Sequence, residues 1–312
     1  MLIGLAGLVA LIAIAVVLLA GSSDSRKSAA GNARAERTTQ SARRSARAGK
    51  TRTKRAGGIS PRRNGAGIAS GRPGTHAVPI LMYHVIAAPP AGAPFPGLYV
   101  PPAEFAEQMH ALARAGWTAV TPDELDAYWR KGISLPRGKP IVLSFDNGYQ
   151  SQYTRALPVL RKLGWPAEEN IQLTGLPPSQ GGLGEAEIRG LVAAGWELDT
   201  QGISHADLIA LSPSALREQV ADARRTIQRR FHVPVNWFCY PSGHYDAAVV
   251  AEVKAAGYNG STTVVPGWAR PDEDPYRMHR LRVLGGTSGT ALLQLIADTR
   301  GDPPAPDSYD GA

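Results

Sequence analysis

The chain has 312 residues, a formal net charge of +8 and an isoelectric point near 9.7. The excess positive charge lies in residues 21–76, which hold 14 Lys or Arg and 2 acidic residues, so the rest of the chain carries −4. An acidic folded part argues against a nucleic-acid-binding domain, because such domains are basic. The single cysteine, Cys239, excludes an intramolecular disulfide, and its place in a predicted buried strand favours packing over reactivity.

The chain begins with an apolar segment, residues 2–20, of 19 uncharged residues. This length is enough to cross a bilayer as a helix, and only Met1 precedes it, so the basic n-region of a secretory signal is missing. We predict a transmembrane anchor at residues 1–20 and a membrane-anchored, extracytoplasmic protein, or a secreted one if the segment is a cleaved signal. The basic residues that follow would favour a cytoplasmic location by the positive-inside rule, so the orientation stays open.

Residues 21–76 are rich in Ser, Ala, Gly, Arg and Lys and contain almost no large apolar residues. Such a composition cannot bury enough apolar surface to offset the entropy of ordering, so we predict a disordered basic linker. No aromatic residue is interleaved with the basic ones to stack on bases. We therefore expect the linker to contact anionic lipid or an anionic envelope polymer rather than nucleic acid.

Residues 77–300 alternate between strand-like and helix-like segments and are long enough for one domain with a large core. This alternation predicts an α/β fold, in which parallel strands form a barrel or sheet with helices outside. Residues 301–312, rich in Pro, Asp and Gly, are expected to be a flexible tail. The predicted strands are 78–83, 118–120, 140–146, 171–175, 196–200, 236–240, 258–264 and 279–284, and the predicted helices include 103–115, 185–194, 213–230, 246–256 and 288–299.

Polar side chains stand at the ends of four of the predicted strands. Because the carboxyl ends of parallel strands meet at one edge, we expect these side chains to share one pocket. Each also fits a local role when taken alone; Asp146 and Asn147 before Gly148, for example, are typical of a turn. The residues are His84, Asp146, Asn147, Asp199, Gln201, His205, Tyr240 and Pro241.

Four motifs carry a resemblance to a known family: the opening VPILMYH, the segment LYVPPAEFAEQM, the strand approach LPRGKPIVLSFDNGY and the loop YPSGHYD. Their order over residues 78 to about 296 resembles that of the NodB-homology polysaccharide deacetylases, carbohydrate esterase family 4. The likeness is greatest to the branch that acts on poly-N-acetylglucosamine. It implies a distorted (β/α) barrel of the NodB-homology type with an open groove for a glycan polymer.

The resemblance also implies catalytic roles. Asp146 matches the first acid of the family's T-F-D-D-G motif, which is the catalytic base, and His84 matches the histidine that serves as general acid. Tyr240 stands where a backbone N–H helps to hold the oxyanion. Tyr149 and Pro241, beside these residues in the motifs, are expected to contact the substrate.

A divalent metal, with zinc favoured, is implied as well, but its ligand positions depart from the family pattern. Asn147 replaces the second acid of the motif, and Gln201 and His205 stand where the family has two histidines. Amide oxygens are poor substitutes for carboxylate and imidazole ligands of zinc. Asp199 and His244, which match no family position, are possible additional ligands.

Two functions therefore remain open from the sequence. The first is a hydrolase that removes acetyl groups from N-acetylated or O-acetylated envelope or extracellular glycan by acid–base, metal-assisted chemistry. The second is a catalytically degenerate relative that binds or scaffolds glycan. The retained Asp146 and His84 favour the first, and Asn147 and Gln201 favour the second.

Overall fold

The computed structural model describes residues 71–174, 176, 181–301 and 303–311. The predicted membrane segment at 1–20 and the predicted linker up to residue 70 lie outside these ranges. Among the residues that are described, no helix has the length and apolar character needed to cross a membrane.

Eight parallel strands form one curled sheet. The order of neighbouring strands is β7–β6–β5–β4–β3–β1–β8. The remaining strand, β2, pairs with the first half of β3, on the same side of β3 where β4 pairs with its second half. The strands are β1 (Ile80–Tyr83), β2 (Trp117–Val120), β3 (Lys139–Asn147), β4 (Glu168–Ile171), β5 (Glu197–Thr200), β6 (Trp237–Cys239), β7 (Gly260–Thr262) and β8 (Leu281–Arg282).

Helices connect the strands and cover the outside of the sheet. They are α1 (Pro102–Arg114), α2 (Pro122–Lys131), α3 (Leu157–Leu163), α4 (Glu185–Ala193), α5 (Pro213–Arg217), α6 (Ala223–Phe231), α7 (Ala247–Ala255) and α8 (Gly289–Asp298). A π-helical turn at Gln152–Ala156 leads into α3, and another at Glu218–Asp222 joins α5 to α6. The predicted α/β alternation is confirmed.

The two ends of the sheet approach each other. Met278, just before β8, makes a parallel bridge to Thr262 of β7, while Leu281 of β8 pairs with Leu81 of β1. The segment before β8 therefore connects the two end strands of the sheet, β8 and β7. This curled sheet is consistent with the expected distorted barrel.

The long central strand β3 separates the core from the barrel interior. Its side chains alternate between the two faces of the sheet. Leu143 and Phe145 pack in the main hydrophobic core between sheet and helices, whereas Ser144 and Asp146 point to the opposite face. A single strand thus both anchors the fold and carries a carboxylate into the interior.

One predicted strand is placed wrongly. The sequence predicts a strand at 171–175, but β4 is Glu168–Ile171, four residues that are all buried. The run Glu168-Glu169-Asn170 has a polar composition that is typical of a loop, and only its pairing between β3 and β5 makes it a strand. Tertiary structure overrides local preference here.

Both ends of the described domain form hydrogen bonds with the rest of it. Gly74 donates its backbone N–H to Tyr128 O at 2.9 Å, so contacts with α2 begin before the predicted domain start at residue 77. The tail expected to be flexible is held at Tyr309, which exchanges two backbone hydrogen bonds with Tyr245 at 2.8 and 2.9 Å. Tyr245 also donates its hydroxyl to Pro306 O at 2.8 Å.

Candidate active site

Asp146 lies at the carboxyl end of β3, with 1% of its surface exposed. Its Oδ1 accepts hydrogen bonds from Arg280 Nη1 at 2.8 Å and from Asn170 Nδ2 at 3.2 Å. Its Oδ2 has the Cys239 thiol at 3.5 Å and His84 Nε2 at 4.0 Å. Because Oδ1 is held by two donors, Oδ2 is the oxygen available to a reacting molecule.

The charge of Asp146 depends on Arg280. Burial raises the pKa of the carboxyl group, but the Arg280 guanidinium, with smaller contributions from His84 and Asn170, outweighs burial and lowers the pKa below its usual value. The group is therefore ionised at neutral pH even though it is buried.

Arg280 is equally buried and has a partner for each of its nitrogens. Nε donates to Thr263 O at 2.8 Å, Nη1 donates to Ser144 Oγ at 3.1 Å and to Asp146, and Nη2 donates to Cys239 Sγ at 3.2 Å. These bonds orient the guanidinium rigidly inside the barrel. Cys239 is thus part of the packing around the ion pair, and burial raises the pKa of its thiol.

His84 directly follows β1 and faces Asp146. Burial lowers its pKa to about 4, an effect that the nearby Asp146 carboxylate opposes and the charges of Arg280 and Arg282 reinforce. The imidazole is therefore neutral at pH 7. Gln152 links the two residues, because its Nε2 donates to the backbone oxygens of His84 at 3.0 Å and Asp146 at 2.8 Å.

A cavity of about 570 Å³ opens over these side chains. Phe95, whose side chain is exposed at the rim, offers an aromatic surface for a sugar ring. The lining brings together most of the residues that the sequence singled out, namely His84, Asp146, Asn147, Tyr149, Gln201, His205 and Tyr240. The convergence expected at the strand ends is therefore present.

Asn147 is hydrogen-bonded to the side-chain amides of Gln201 and Gln172. The Asn147 backbone, in the left-handed region at φ 77°, donates its N–H to Gln201 Oε1 at 3.1 Å. Asn147 Nδ2 donates to Gln172 Oε1 at 2.9 Å, and Gln172 Nε2 donates to Thr174 O at 2.8 Å. We call Asn147, Gln172 and Gln201 the amide chain.

The amide chain does not fit the implied metal. Gln201 Oε1 already accepts the Asn147 backbone N–H, and the Asn147 NH2 group is bonded to Gln172, so of these two side-chain oxygens only Asn147 Oδ1 is without a bond among the described residues. Of the three positions at which the family pattern places metal ligands, only His205 carries a side chain that zinc favours, and burial lowers the pKa of this half-buried imidazole. Within the described residues, no group of three or more His, Cys, Asp and Glu side chains is placed to hold a metal ion.

The two residues suggested as additional ligands lie in other arrangements. Asp199 Oδ1 accepts the backbone N–H groups of Asn236 and Trp237, each at 2.8 Å, and so secures the start of β6. His244 Nδ1 lies 3.0 Å from Asp207 Oδ1 near the surface. Neither residue joins the lining of the cavity, so the structure does not support Asp199 or His244 as replacement ligands.

Tyr240 is placed differently from the expectation. Its backbone N–H, predicted to hold an oxyanion, donates to Thr262 O at 3.3 Å, and its hydroxyl donates to Tyr276 O at 2.9 Å. The amide is therefore already engaged by the sheet. Tyr149 packs against Val85 and Tyr99 at the cavity wall, and Pro241 is buried in the turn that follows Tyr240.

Several residues of the site could not be identified from the sequence. Arg280 was part of a predicted strand, HRLRVL, and a buried arginine in a strand is the signal that could have revealed a carboxylate partner. Gln152, Asn170 and Gln172 have no comparable signal, because each looks like an ordinary polar residue until the strands are paired.

Comparison with known proteins agrees with this geometry. The family model described as polysaccharide deacetylase matches residues 135–261. The chain is 31% identical over 216 residues to YxkH of Bacillus subtilis strain 168, which carries the name of a polysaccharide deacetylase, and the match covers 69% of this chain and 74% of that protein. The deacetylase PplD of Streptococcus pyogenes, solved with acetate, gives a TM-score of 0.65 at 25% identity, covering 72% of this chain and 99% of PplD.

A shorter match, 43% identical over 61 residues, is to the poly-beta-1,6-N-acetyl-D-glucosamine N-deacetylase of Escherichia coli K12; it covers 20% of this chain and 9% of that protein. Together with the longer matches, it confirms the resemblance read from the motifs. The chain belongs to the polysaccharide deacetylase family.

Proposed function

We propose that this protein removes acetyl groups from an N-acetylated or O-acetylated glycan of the cell envelope or extracellular matrix. The observation that carries the proposal is the pairing of Asp146 and His84 in the cavity. Oδ2 of the ionised Asp146 carboxylate has the weak Cys239 thiol as its one hydrogen-bond donor among the described residues, and it lies 4.0 Å from Nε2 of the neutral His84 imidazole. The cavity of about 570 Å³ opens over this pair. Paired groups of this kind serve general acid–base hydrolysis.

The chemistry follows from the two protonation states. Asp146 Oδ2 accepts a proton from water as the water oxygen attacks the acetyl carbonyl carbon, and the tetrahedral intermediate then expels the sugar amine or hydroxyl. The leaving group needs a proton, and neutral His84 can supply it only after receiving one. Asp146 Oδ2 is a suitable source, so the proton passes from water through Asp146 and His84 to the leaving group.

Arg280 and Arg282 supply positive charge near this reaction. Arg280 keeps Asp146 ionised, and Arg282, exposed at the cavity, is close enough for its charge to lower the pKa of His84. A cation there would also stabilise negative charge that develops on the carbonyl oxygen. No step is assigned to a metal ion, because Asn147 and Gln201 are poor substitutes for the carboxylate and imidazole ligands that zinc favours.

The direct test is acetate release from poly-N-acetylglucosamine and from an O-acetylated glycan by the full-length chain. We expect Asp146→Asn to lower release by at least about 10³-fold, since the base is lost, while glycan binding measured by calorimetry stays near wild type. Asp298→Asn, on the outer helix α8, is the control and should behave as wild type.

A wild-type chain that binds these glycans without releasing acetate would contradict the proposed hydrolysis. Normal turnover by Asp146→Asn would instead show that Asp146 is not the base. Circular dichroism of the variant is needed beside the assay, because Asp146→Asn leaves Arg280 without its buried counter-ion.

A further inference from the structure

The orientation of the amide chain is fixed by two backbone groups. A carbonyl oxygen can only accept, so the Gln172 end that faces Thr174 O must be the NH2 group. Gln172 Oε1 then faces Asn147, whose side chain must present its own NH2 group. At the other end, the Asn147 backbone N–H can only donate, so Gln201 must present its oxygen.

These constraints leave two polar ends unused. Among the described residues, Asn147 Oδ1 and Gln201 Nε2 have no hydrogen-bond partner, and both residues line the cavity beside Asp146. One end is an acceptor and the other is a donor. A secondary amide, which has one N–H and one C=O, complements this pair.

We infer that Asn147 and Gln201 bind the acetamido group of the substrate directly, in the position where the family motif would hold a metal. Asn147 Oδ1 accepts the N–H of the acetamido group, and Gln201 Nε2 donates to its carbonyl oxygen. The inference rests on the proposed function in taking an acetylated sugar as the ligand, and it narrows that ligand to the N-acetyl class.

Selectivity against esters follows from the same pair. An O-acetyl group has no N–H, so it would leave the oxygen of the largely buried Asn147 without a donor. A site built to hydrogen-bond a polar group discriminates strongly against an analogue that lacks the group. We therefore expect N-acetylated oligosaccharides to bind at least about 10-fold more tightly than O-acetylated ones of equal length.

The test is calorimetric binding to the full-length chain, in EDTA and separately after incubation with Zn²⁺. The probes are N-acetylglucosamine oligomers, glucosamine oligomers and O-acetylated glucan oligomers. We expect the N-acetyl preference in both conditions and less than stoichiometric zinc by mass spectrometry.

Two variants and one control sharpen the test. Asn147→Gly removes the acceptor Oδ1, and glycine readily adopts the positive φ of this position. Gln201→Glu keeps an oxygen to accept the Asn147 N–H but removes the donor Nε2. We expect each variant to bind N-acetylated oligomers at least about 10-fold more weakly in EDTA. Ser242→Gly also removes a polar side chain at a positive-φ residue bordering the cavity, and it should keep the wild-type preference.

Equal binding of N-acetyl and O-acetyl ligands would overturn the inference, as would binding that needs stoichiometric zinc. The proposed hydrolysis is judged separately by acetate release. A metal-independent N-acetyl preference without acetate release would support the inference and contradict the hydrolase. Acetate release that EDTA abolishes, together with a stoichiometric metal, would support the hydrolase and contradict the inference.

Discussion

Asp146 and His84 are both buried, yet burial acts on them in different ways. Burial disfavours the charged form of each, but Asp146 has a guanidinium bonded to one oxygen and stays ionised, whereas the Nδ1 of His84 has no hydrogen-bond partner among the described residues. The free site therefore has an ionised carboxylate paired with a guanidinium, and a neutral imidazole beside them.

This pairing predicts the acid limb of the pH profile. The reactive state needs ionised Asp146 and neutral His84; the pKa of His84 is lowered to about 4 and that of Asp146 is also below its usual value. Hydrolysis measured as kcat/KM should stay level as pH falls from 8 to about 5 and decline only toward pH 4. A decline centred near pH 6.5, with the chain still folded by circular dichroism, would contradict the neutral buried state of His84.

At the residue scale, most of the side chains that the sequence singled out do meet in the cavity, but Asp199 was wrongly placed there and Arg280 was missed. The sequence also did not indicate how each side chain is used. His84 and Gln201 directly follow strands and Asp146 lies at the end of one, and parallel strands bring their ends together. The bonds made by Arg280 cross the barrel interior and depend on its closure. The engagement of the Tyr240 N–H with Thr262 depends on the pairing of neighbouring strands, which no local pattern reveals.

At the scale of elements, β4 is the unusual one. Glu169 shares the sheet face of its partner Phe145, and both of its carboxylate oxygens lack a hydrogen-bond partner among the described residues. Burial, reinforced by the charge of Asp146, raises its pKa well above the ordinary value. A carboxyl group in this position destabilises the native state wherever the unfolded chain would ionise it.

We expect Glu169→Leu to raise the free energy of unfolding by about 1–3 kcal/mol at pH 7, because it removes an unpaired buried acid. The pKa of Glu169 is raised in the folded state, so this residue costs the native chain stability as pH rises above 4.5, the pKa of an ordinary glutamate. The stability gained by Glu169→Leu should therefore be smaller at pH 4 than at pH 7. Urea denaturation at the two pH values measures both effects.

Glu218→Leu, at an exposed position of the α5–α6 helix, is the matched control and should change stability little. A Glu169→Leu chain no more stable than wild type, or equally stabilised at both pH values, would show that Glu169 finds a partner in solution.

The sequence predicted most helices and strands because their apolar periodicity is strong, as in α1 with Phe105, Met109 and Leu112. The start of α2 follows a common sequence pattern, an N-cap threonine followed by proline, and Thr121 and Glu124 exchange side-chain and backbone hydrogen bonds there. The failure at β4 has the opposite cause: three polar residues form a buried strand only because the neighbouring strands pair with it.

On the scale of the whole molecule, residues 303–311 hold the loop that follows β6 beside the cavity. Tyr309 pairs with Tyr245, which follows the Pro241–Gly243 turn at the cavity, and Arg277 forms an ion pair with Asp307. The predicted flexible tail is thus a support for the loop after β6.

We expect removal of residues 303–312 to lower the free energy of unfolding by about 1–3 kcal/mol, since several hydrogen bonds are lost. It should also weaken glycan binding, because the turn after Tyr240 loses its support. Urea denaturation and calorimetry measure the two effects, with Ser308→Ala as control; unchanged values for both would show that the tail contacts contribute nothing.

The direction of the strands also separates the start of the described chain from the cavity. Gly74 and Val78 join the molecule on the side where β1 begins, through Tyr128 and Ala269, whereas His84, Asp146 and Gln201 stand at the opposite edge, where the strands finish. The first described residues and the cavity therefore lie at opposite ends of the strands. A long polymer can thus cross the cavity without meeting the segment through which the chain enters the domain at Gly74 and Val78.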